Sequence, residues 1–294
     1  MLIARLIAET STLAANLDKA RAQLAAEGMV LAMAEPVASG EDVIELQLAS
    51  GDPVRLRAIL DACFAPSDLL VSDRQITVPG LFVSDMDSTM IAAECIDELA
   101  DFAGLKPQIA AITERAMQGE LDFAQALTER VALLGGLGED AIAQCLAERI
   151  ALMPGARTLV ATLKAHGCFT VLVTGGFHQF ADPIAEQLGF ERVVANRLGV
   201  HDGKLTGGLV GGITDSGVKR TVLLEESARL GADTVSLATG DGANDIPMLE
   251  AATYGIAYFA KPKARAAADG WVDRGDLTSV LLLLGIPRRE WVLG

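Results

Sequence analysis

Two aspartates, Asp85 and Asp87, stand at alternate positions where the apolar run Leu81-Phe82-Val83 gives out, and Ser88 and Thr89 follow them. Strand alternation puts both carboxylates on one side. Carboxylates that close repel each other unless a cation or a shared proton intervenes. A second acidic cluster, Gly240-Asp241-Gly242-Ala243-Asn244-Asp245, follows the apolar run from Val235 to Thr239. Two strands delivering carboxylates to one edge make a site for a hard divalent cation. Between them, Thr174-Gly175-Gly176 follows Val171-Leu172-Val173. A hydroxyl and two glycines there let the backbone close on an anion, with bare N–H groups at the next helix start. Lys219, in Gly217-Val218-Lys219-Arg220, precedes a helix expected to begin near Thr221. Taken singly, these are also a capped strand end, a strand-to-helix turn and a solvated lysine. Their succession along one chain gives them weight.

The elements that must position these groups fall into two rhythms. Strands are expected at residues 2–8, 29–33, 43–48 and 69–71, with helices at 12–26 and 54–63 and a turn near Gly40. That β-α-β-β-α-β order is the split ferredoxin-like arrangement. Pro79 and Gly80 mark the entry to a second unit, so the domains are read as 1–78 and 79–294. From Leu81 apolar strands alternate with longer helical stretches, the pattern of an α/β layer fold. Phe169–Val173 and Val235–Thr239 are continuous apolar runs suited to a parallel sheet buried on both faces, and 193–195 and 256–259 are weaker strands. Residues 91–150 carry only helical pattern and read as an insertion between the first two strands of this sheet. Residues 197–214 read as a β-hairpin.

Bulk composition excludes several classes. Of 294 residues, 51% are hydrophobic, enough for a large core, yet no apolar run approaches the ~20 residues of a membrane span. No signal peptide is read at the N-terminus. Cys63, Cys95, Cys145 and Cys168 lack C-x-x-C spacing, which fits reduced thiols in a cytoplasmic protein. A net charge of −15 argues against nucleic acid or an anionic membrane as partner. His166 and His201 read as surface positions, and His178, near the anion loop, has no carboxylate partner evident in sequence.

The order D-x-D-x-T, T-G-G, K, G-D-x-x-N-D resembles the four motifs of the haloacid-dehalogenase-like phosphohydrolases, over residues 81 to about 270. The stretches Glu94-Cys95-Ile96-Asp97-Glu98-Leu99-Ala100 and Ala116-Met117-Gln118-Gly119-Glu120-Leu121-Asp122-Phe123 are similar to cap segments of the phosphoserine phosphatases in that family. The resemblance implies a Rossmann-like parallel sheet with a helical cap, about residues 92–152, inserted after the first core strand. It implies Mg²⁺-dependent hydrolysis of O-phospho-L-serine to L-serine and phosphate, the last step of serine biosynthesis, through an aspartyl-phosphate. Asp85 is then the nucleophile. Asp87 protonates the leaving alkoxide and later takes a proton from water, and a neighbouring anion holding its pKa up would help. Mg²⁺ would be held by Asp85, the backbone carbonyl of Asp87 and Asp241, with Asp245 orienting a metal-bound water from behind. Thr174, Gly175 and Lys219 would take the non-bridging oxygens, supported by Asn244. In the cap, Glu94 would pair with the substrate amino group and Arg130 with its carboxylate, ideally in bidentate fashion. Met117 and Phe123 would wall the pocket. By spacing alone Met117 and Phe123 read as helix core, and Arg130 beside Glu129 as a surface charge. Thr174 stands where phosphoserine members usually carry Ser, which keeps the hydroxyl and adds a methyl.

The first 78 residues loosely resemble small amino-acid-binding (ACT-like) regulatory domains. The loop Glu9-Thr10-Ser11-Thr12 lacks the glycine that such domains often use to bring backbone close to a ligand. A scaffold role, or dimerisation into a homodimer, therefore stands beside L-serine sensing. Two rivals remain: a relative acting on phosphohomoserine or phosphoethanolamine, as a phosphatase or phosphotransferase, and a binding module with a lapsed catalytic domain. Arg130 speaks against phosphoethanolamine, which has no carboxylate. The intact Asp85, Asp87, Lys219 and Asp241 speak against the lapsed enzyme.

Overall fold

The structure, a computed structural model, describes residues 1–37, 42–118 and 120–293, without the side chain of Met117. The turn expected near Gly40 and the pocket wall expected of Met117 lie outside the described residues.

The N-terminal segment runs β1 (Leu2–Ile7), α1 (Leu13–Ala26), β2 (Leu31–Pro36), β3 (Val43–Leu48), α2 (Pro53–Phe64) and β4 (Asp68–Ser72). Its strands lie in the order β2-β3-β1-β4, all antiparallel, as the ferredoxin-like reading requires. β2 starts two residues later than expected. α2 begins where it does because the Asp52 carboxylate accepts the Val54 and Arg55 N–H groups and Pro53 fills the first turn. The loop after β1 is filled by its own side chain: Glu9 accepts from Ser11 and pairs with Arg274 at 3.0 Å.

The second segment comprises β5 (Leu81–Ser84); the inserted helices α3 (Cys95–Phe102), α4 (Lys106–Met117), α5 (Phe123–Leu133) and α6 (Asp140–Arg149); then α7 (Ala156–Ala165), β6 (Phe169–Phe177), α8 (His178–Leu188) and β7 (Arg192–Asn196). It continues with the hairpin β8 (Leu198–His201) and β9 (Lys204–Leu209), α9 (Ser216–Leu230), β10 (Ser236–Gly240), α10 (Ile246–Ala251), β11 (Tyr254–Tyr258), α11 (Pro262–Ala267), β12 (Gly270–Val272) and α12 (Ser279–Leu283). The strands β12-β11-β10-β5-β6-β7 are parallel neighbours. The ends of the helical insertion are stitched together: the Ala92 N–H donates to Ala151 and the Met153 N–H to Met90, each at a normal hydrogen-bond distance.

One feature was not foreseen. β12, three residues long and too short to show a period, pairs antiparallel with β4. The N-terminal strands thereby extend the parallel sheet into one of ten strands. Gly270 permits this, since a side chain there would collide with the Leu69 carbonyl. Arg5, buried, pairs with Glu45 at 2.9 Å and also donates to the Leu283 carbonyl of α12. Alternation then sorts the core into two layers. Phe82 belongs to the layer that includes residues of the insertion, α7, α8 and α12, whereas Leu81 and Val83 belong to the layer that includes residues of α1, α2, α9 and α10.

Candidate active site

β5 ends at Ser84, so Asp85 and Asp87 lie just beyond the sheet's carboxyl edge, where open α/β folds place ligands. The Asp85 N–H donates to the Thr239 carbonyl at 3.0 Å, and the Ser84 and Thr239 hydroxyls are hydrogen-bonded at 2.8 Å. The first acidic motif is thus fastened to the strand that delivers the second. Asp85, Asp241 and Asp245 are all buried, and one oxygen from each falls within 4.8 Å of the others. Gly240 is obligatory beside them because a Cβ there would run into Asp245. Three convergent carboxylates with no nitrogen or sulfur donor among them fit a hard cation such as Mg²⁺. The Asp87 carboxylate is outside this trio: it accepts from the Cys95 N–H at 3.4 Å.

Lys219 lies inside α9 rather than ahead of it, because Asp215 caps the helix by accepting the Val218 N–H. Its side chain is almost wholly buried, with Nζ 2.6 Å from Asp85 Oδ1 and 2.7 Å from Asp245 Oδ1. Burial alone would discharge the amine, but the two carboxylates hold it above the usual lysine range. Burial, then Asp245, push the Asp85 carboxyl well above the ordinary range, and Lys219 opposes them. Burial and the nearby Glu94 push Asp87 up to about 7, against the hydrogen bonds from Cys95. The other oxygen of Asp245 accepts from the Asp241 and Gly242 N–H groups at 3.1 and 3.0 Å, which fixes the Asp241 loop.

The anion loop departs from the expected strand-to-helix turn. β6 continues through Thr174, Gly175 and Gly176 to Phe177, with its pairing to β7 broken between Val173 and Phe177. The Gly176 N–H donates to Thr174 Oγ1 at 2.9 Å, which leaves the hydroxyl proton free for another acceptor. The buried side chain of Asn196 braces the loop. Its Nδ2 donates to the Gly175 carbonyl and its Oδ1 accepts from the Thr214 N–H, both at 2.8 Å. His178 opens α8 behind this loop, and it does have a carboxylate partner: Asp182, one turn on, is 2.8 Å from Nδ1.

A cavity of about 210 Å³ joins these groups to the insertion, and is lined by Asp85, Asp87, Thr174, Gly175, Asp241 and Asn244 below and Glu94, Phe123 and Arg130 above. Lys219 and Asp245 lie behind its floor. Phe123 is 40% exposed and packs on Gly175, so it is not helix core. It follows Asp122, whose carboxylate forms a reciprocal cap with Gln125. Glu94 stands at the N-cap of α3 but its side chain makes no capping bond; it accepts from Ser88 Oγ at 3.0 Å, and burial raises its carboxyl. Ser88 takes up a left-handed conformation (φ 56°) to make that contact. Arg130 is half-buried and turned toward the cavity rather than free in solvent. Its Nε donates to the Ala126 carbonyl at 3.3 Å, and it has no acidic partner within ion-pair distance among the described residues. Sequence reading missed three contributors. Asn196 and Ile96 carried no signal, and Lys261 could have been found as a basic residue just past the carboxyl end of an expected strand.

A cradle for an anion beside an oxygen-only cation site, roofed by helices inserted after the first strand of a parallel sheet, suits chemistry on phosphate esters. Residues 82–250 match the family model of the haloacid dehalogenase-like hydrolases, and the chain belongs to that family. Within it, the chain is similar to the phosphoserine phosphatases. It is 46% identical over 211 residues to that of Streptomyces coelicolor, covering 71% of this chain but 51% of that one, so the match spans about half that relative's length. It is 44% identical over 209 residues to the phosphoserine phosphatase of Albidiferax ferrireducens, covering 69% of this chain and 88% of the relative. The crystal structure of a probable phosphoserine phosphatase from Vibrio cholerae superposes with a TM-score of 0.76 at 34% identity, over 98% of this chain and 87% of that one. Among the described residues no helix is long and apolar enough to cross a membrane.

Proposed function

We propose that this chain hydrolyses O-phospho-L-serine to L-serine and phosphate through an aspartyl-phosphate on Asp85, with Mg²⁺ as cofactor, as the final step of L-serine formation. The observation that carries this reading is a single cavity with the Thr174–Gly175 anion cradle and the acidic cluster at one end and opposite charges, Glu94 and Arg130, at the other. Mg²⁺ would be held by Asp85 and Asp241, with Asp245 behind them, and would supply positive charge to the phosphoryl oxygens. Lys219, Thr174 Oγ1 and the Gly175 N–H bind the phosphoryl group and stabilise the charge that develops on its oxygens. Lys219 also favours the ionised form of Asp85, the form that attacks. Asp87, held near neutrality, donates its proton to the departing serine oxygen and then accepts one from the water that hydrolyses the acyl-phosphate. Glu94 pairs with the substrate ammonium and Arg130 with its carboxylate, and Phe123 excludes water above Gly175.

The test is phosphate release from O-phospho-L-serine and from phosphoethanolamine, each with Mg²⁺ and with EDTA. We expect Mg²⁺-dependent turnover with strong preference for phosphoserine. Comparable turnover of phosphoethanolamine would remove the substrate assignment, and full activity in EDTA would remove the metal.

A further inference from the structure

Lys261 borders the same cavity, yet it belongs to none of the motifs considered so far. Its backbone is rigidly placed. The Lys261 N–H donates to the Asp241 carbonyl at 2.8 Å, and Pro262 opens α11 directly after it. One turn further, Arg265 is clamped at 2.7 Å by both Asp61 and Asp273 and lies 3.7 Å over the Trp271 ring. The far end of the lysine is different in kind: the side chain is 68% exposed, and Nζ is 3.3 Å from Asp241 Oδ2.

Charge is unevenly shared among the three convergent carboxylates. Asp85 and Asp245 share the buried ammonium of Lys219. Asp241 makes no ion pair with Lys219 and has Lys261 instead. We infer that Lys261 is a tethered counter-ion for the metal site: its ammonium holds Asp241 when no metal is bound, competes with the divalent cation for that carboxylate, and gives way when the cation binds. The inference rests on the Mg²⁺ reading of Asp85, Asp241 and Asp245.

The physical case is one of unequal competitors. With the ammonium end largely in water the lysine–carboxylate pair is weak, although Asp241 itself is buried, and the flexible lysine stem lets the ammonium leave at little cost. A divalent ion brings twice the charge into direct contact with the oxygen. Lys261 therefore cannot exclude the metal, but it opposes it. Removing an opposing pair of this strength should tighten metal binding by about 1.5- to fivefold. Because the opposition is between partly exposed charges, it should shrink as salt rises.

The experiment is isothermal titration of Mg²⁺ into the full chain without substrate, at low and high NaCl, for wild type, Lys261→Arg, Lys261→Met and Lys261→Glu. No bond other than the one to Asp241 is made by the Lys261 ammonium among the described residues, so the fold is not at risk in these variants. We expect Kd to fall in the order wild type, Lys261→Met, Lys261→Glu, with Lys261→Arg close to wild type and the differences narrowing in high salt. Unchanged or weaker Mg²⁺ binding by Lys261→Met, with wild type binding normally, would overturn the inference alone. Failure of the wild-type chain to bind Mg²⁺ would overturn both the inference and the metal reading beneath it.

Discussion

Arg130 offers the sharpest test of how the cavity reads its substrate. The guanidinium is half-buried, faces the cavity and, among the described residues, makes one long bond, from Nε to the Ala126 carbonyl at 3.3 Å. Burial pulls its pKa below the usual arginine range, while Asp97 and Glu94 act at longer range to keep it charged. Its two terminal nitrogens are thus available to a planar anion, and a carboxylate matches that fork. A hydrogen bond to a charged group contributes about 1.5–3 kcal/mol. If half of the bidentate sum is offset by ordering the substrate, about 2 kcal/mol remains, or roughly 30-fold in kcat/KM. Arg130→Ala should therefore lower kcat/KM for O-phospho-L-serine by about that factor. Arg130→Lys, which keeps charge without the fork, should lose on the order of tenfold. Phosphoethanolamine has no carboxylate, so its kcat/KM should change by less than about threefold. The assay is initial-rate phosphate release with both substrates, alongside circular dichroism to confirm that the helices persist. An equal fall for the two substrates would refute the reasoning, because Arg130 would then be holding the cap in place rather than reading the substrate.

Other consequences can be checked on the same footing. Asp85→Asn should abolish turnover while leaving the chain folded, since it removes one buried carboxylate and leaves Lys219 paired with Asp245; residual turnover near wild type would exclude Asp85 as nucleophile. Lys219→Met should be inactive and destabilised by about 3–5 kcal/mol in urea unfolding of the metal-free chain, because two buried carboxylates lose their cation. The protonated form of Asp87 is needed for the first step, so kcat/KM should fall as pH rises through about 7. Glu94 is the second cause of that raised value after burial, so Glu94→Gln should move the falling limb to lower pH; a limb that stays put would assign it to another group. Asn196→Ala removes the bond to the Gly175 carbonyl and the one from the Thr214 N–H, and should raise the KM for phosphoserine several-fold, with inorganic phosphate weakened as an inhibitor in parallel.

Much of this protein was legible in its sequence because the relevant signals are local. The apolar runs at Phe169–Val173 and Val235–Thr239 became β6 and β10 because a strand buried on both faces needs apolar residues at every position. The two acidic motifs could be assigned to one edge because each directly follows such a run. Asp52, Asp122 and Asp215 cap their helices through neighbours two or three residues away, so those starts were decided by the chain's own order. What tertiary structure alone decided are the contacts between residues far apart. Lys219 lies 26 positions from Asp245, and nothing at Gly217-Val218-Lys219 distinguishes a buried bridging amine from a solvated one until α9 packs against β5. Asn196 and Lys261 are ordinary residues in sequence, and their placement in or behind the cavity comes from the packing around it, whereas Arg130 was assigned to the pocket through the resemblance of the cap and not through its own spacing. The union of the N-terminal strands with the parallel sheet was likewise invisible, since it depends on a three-residue strand finding β4 some 200 positions away. Side-chain type and short-range order specify which strands and helices can form; charge pairing and close approach specify which of them meet, and those energies exist only after the chain has folded back on itself.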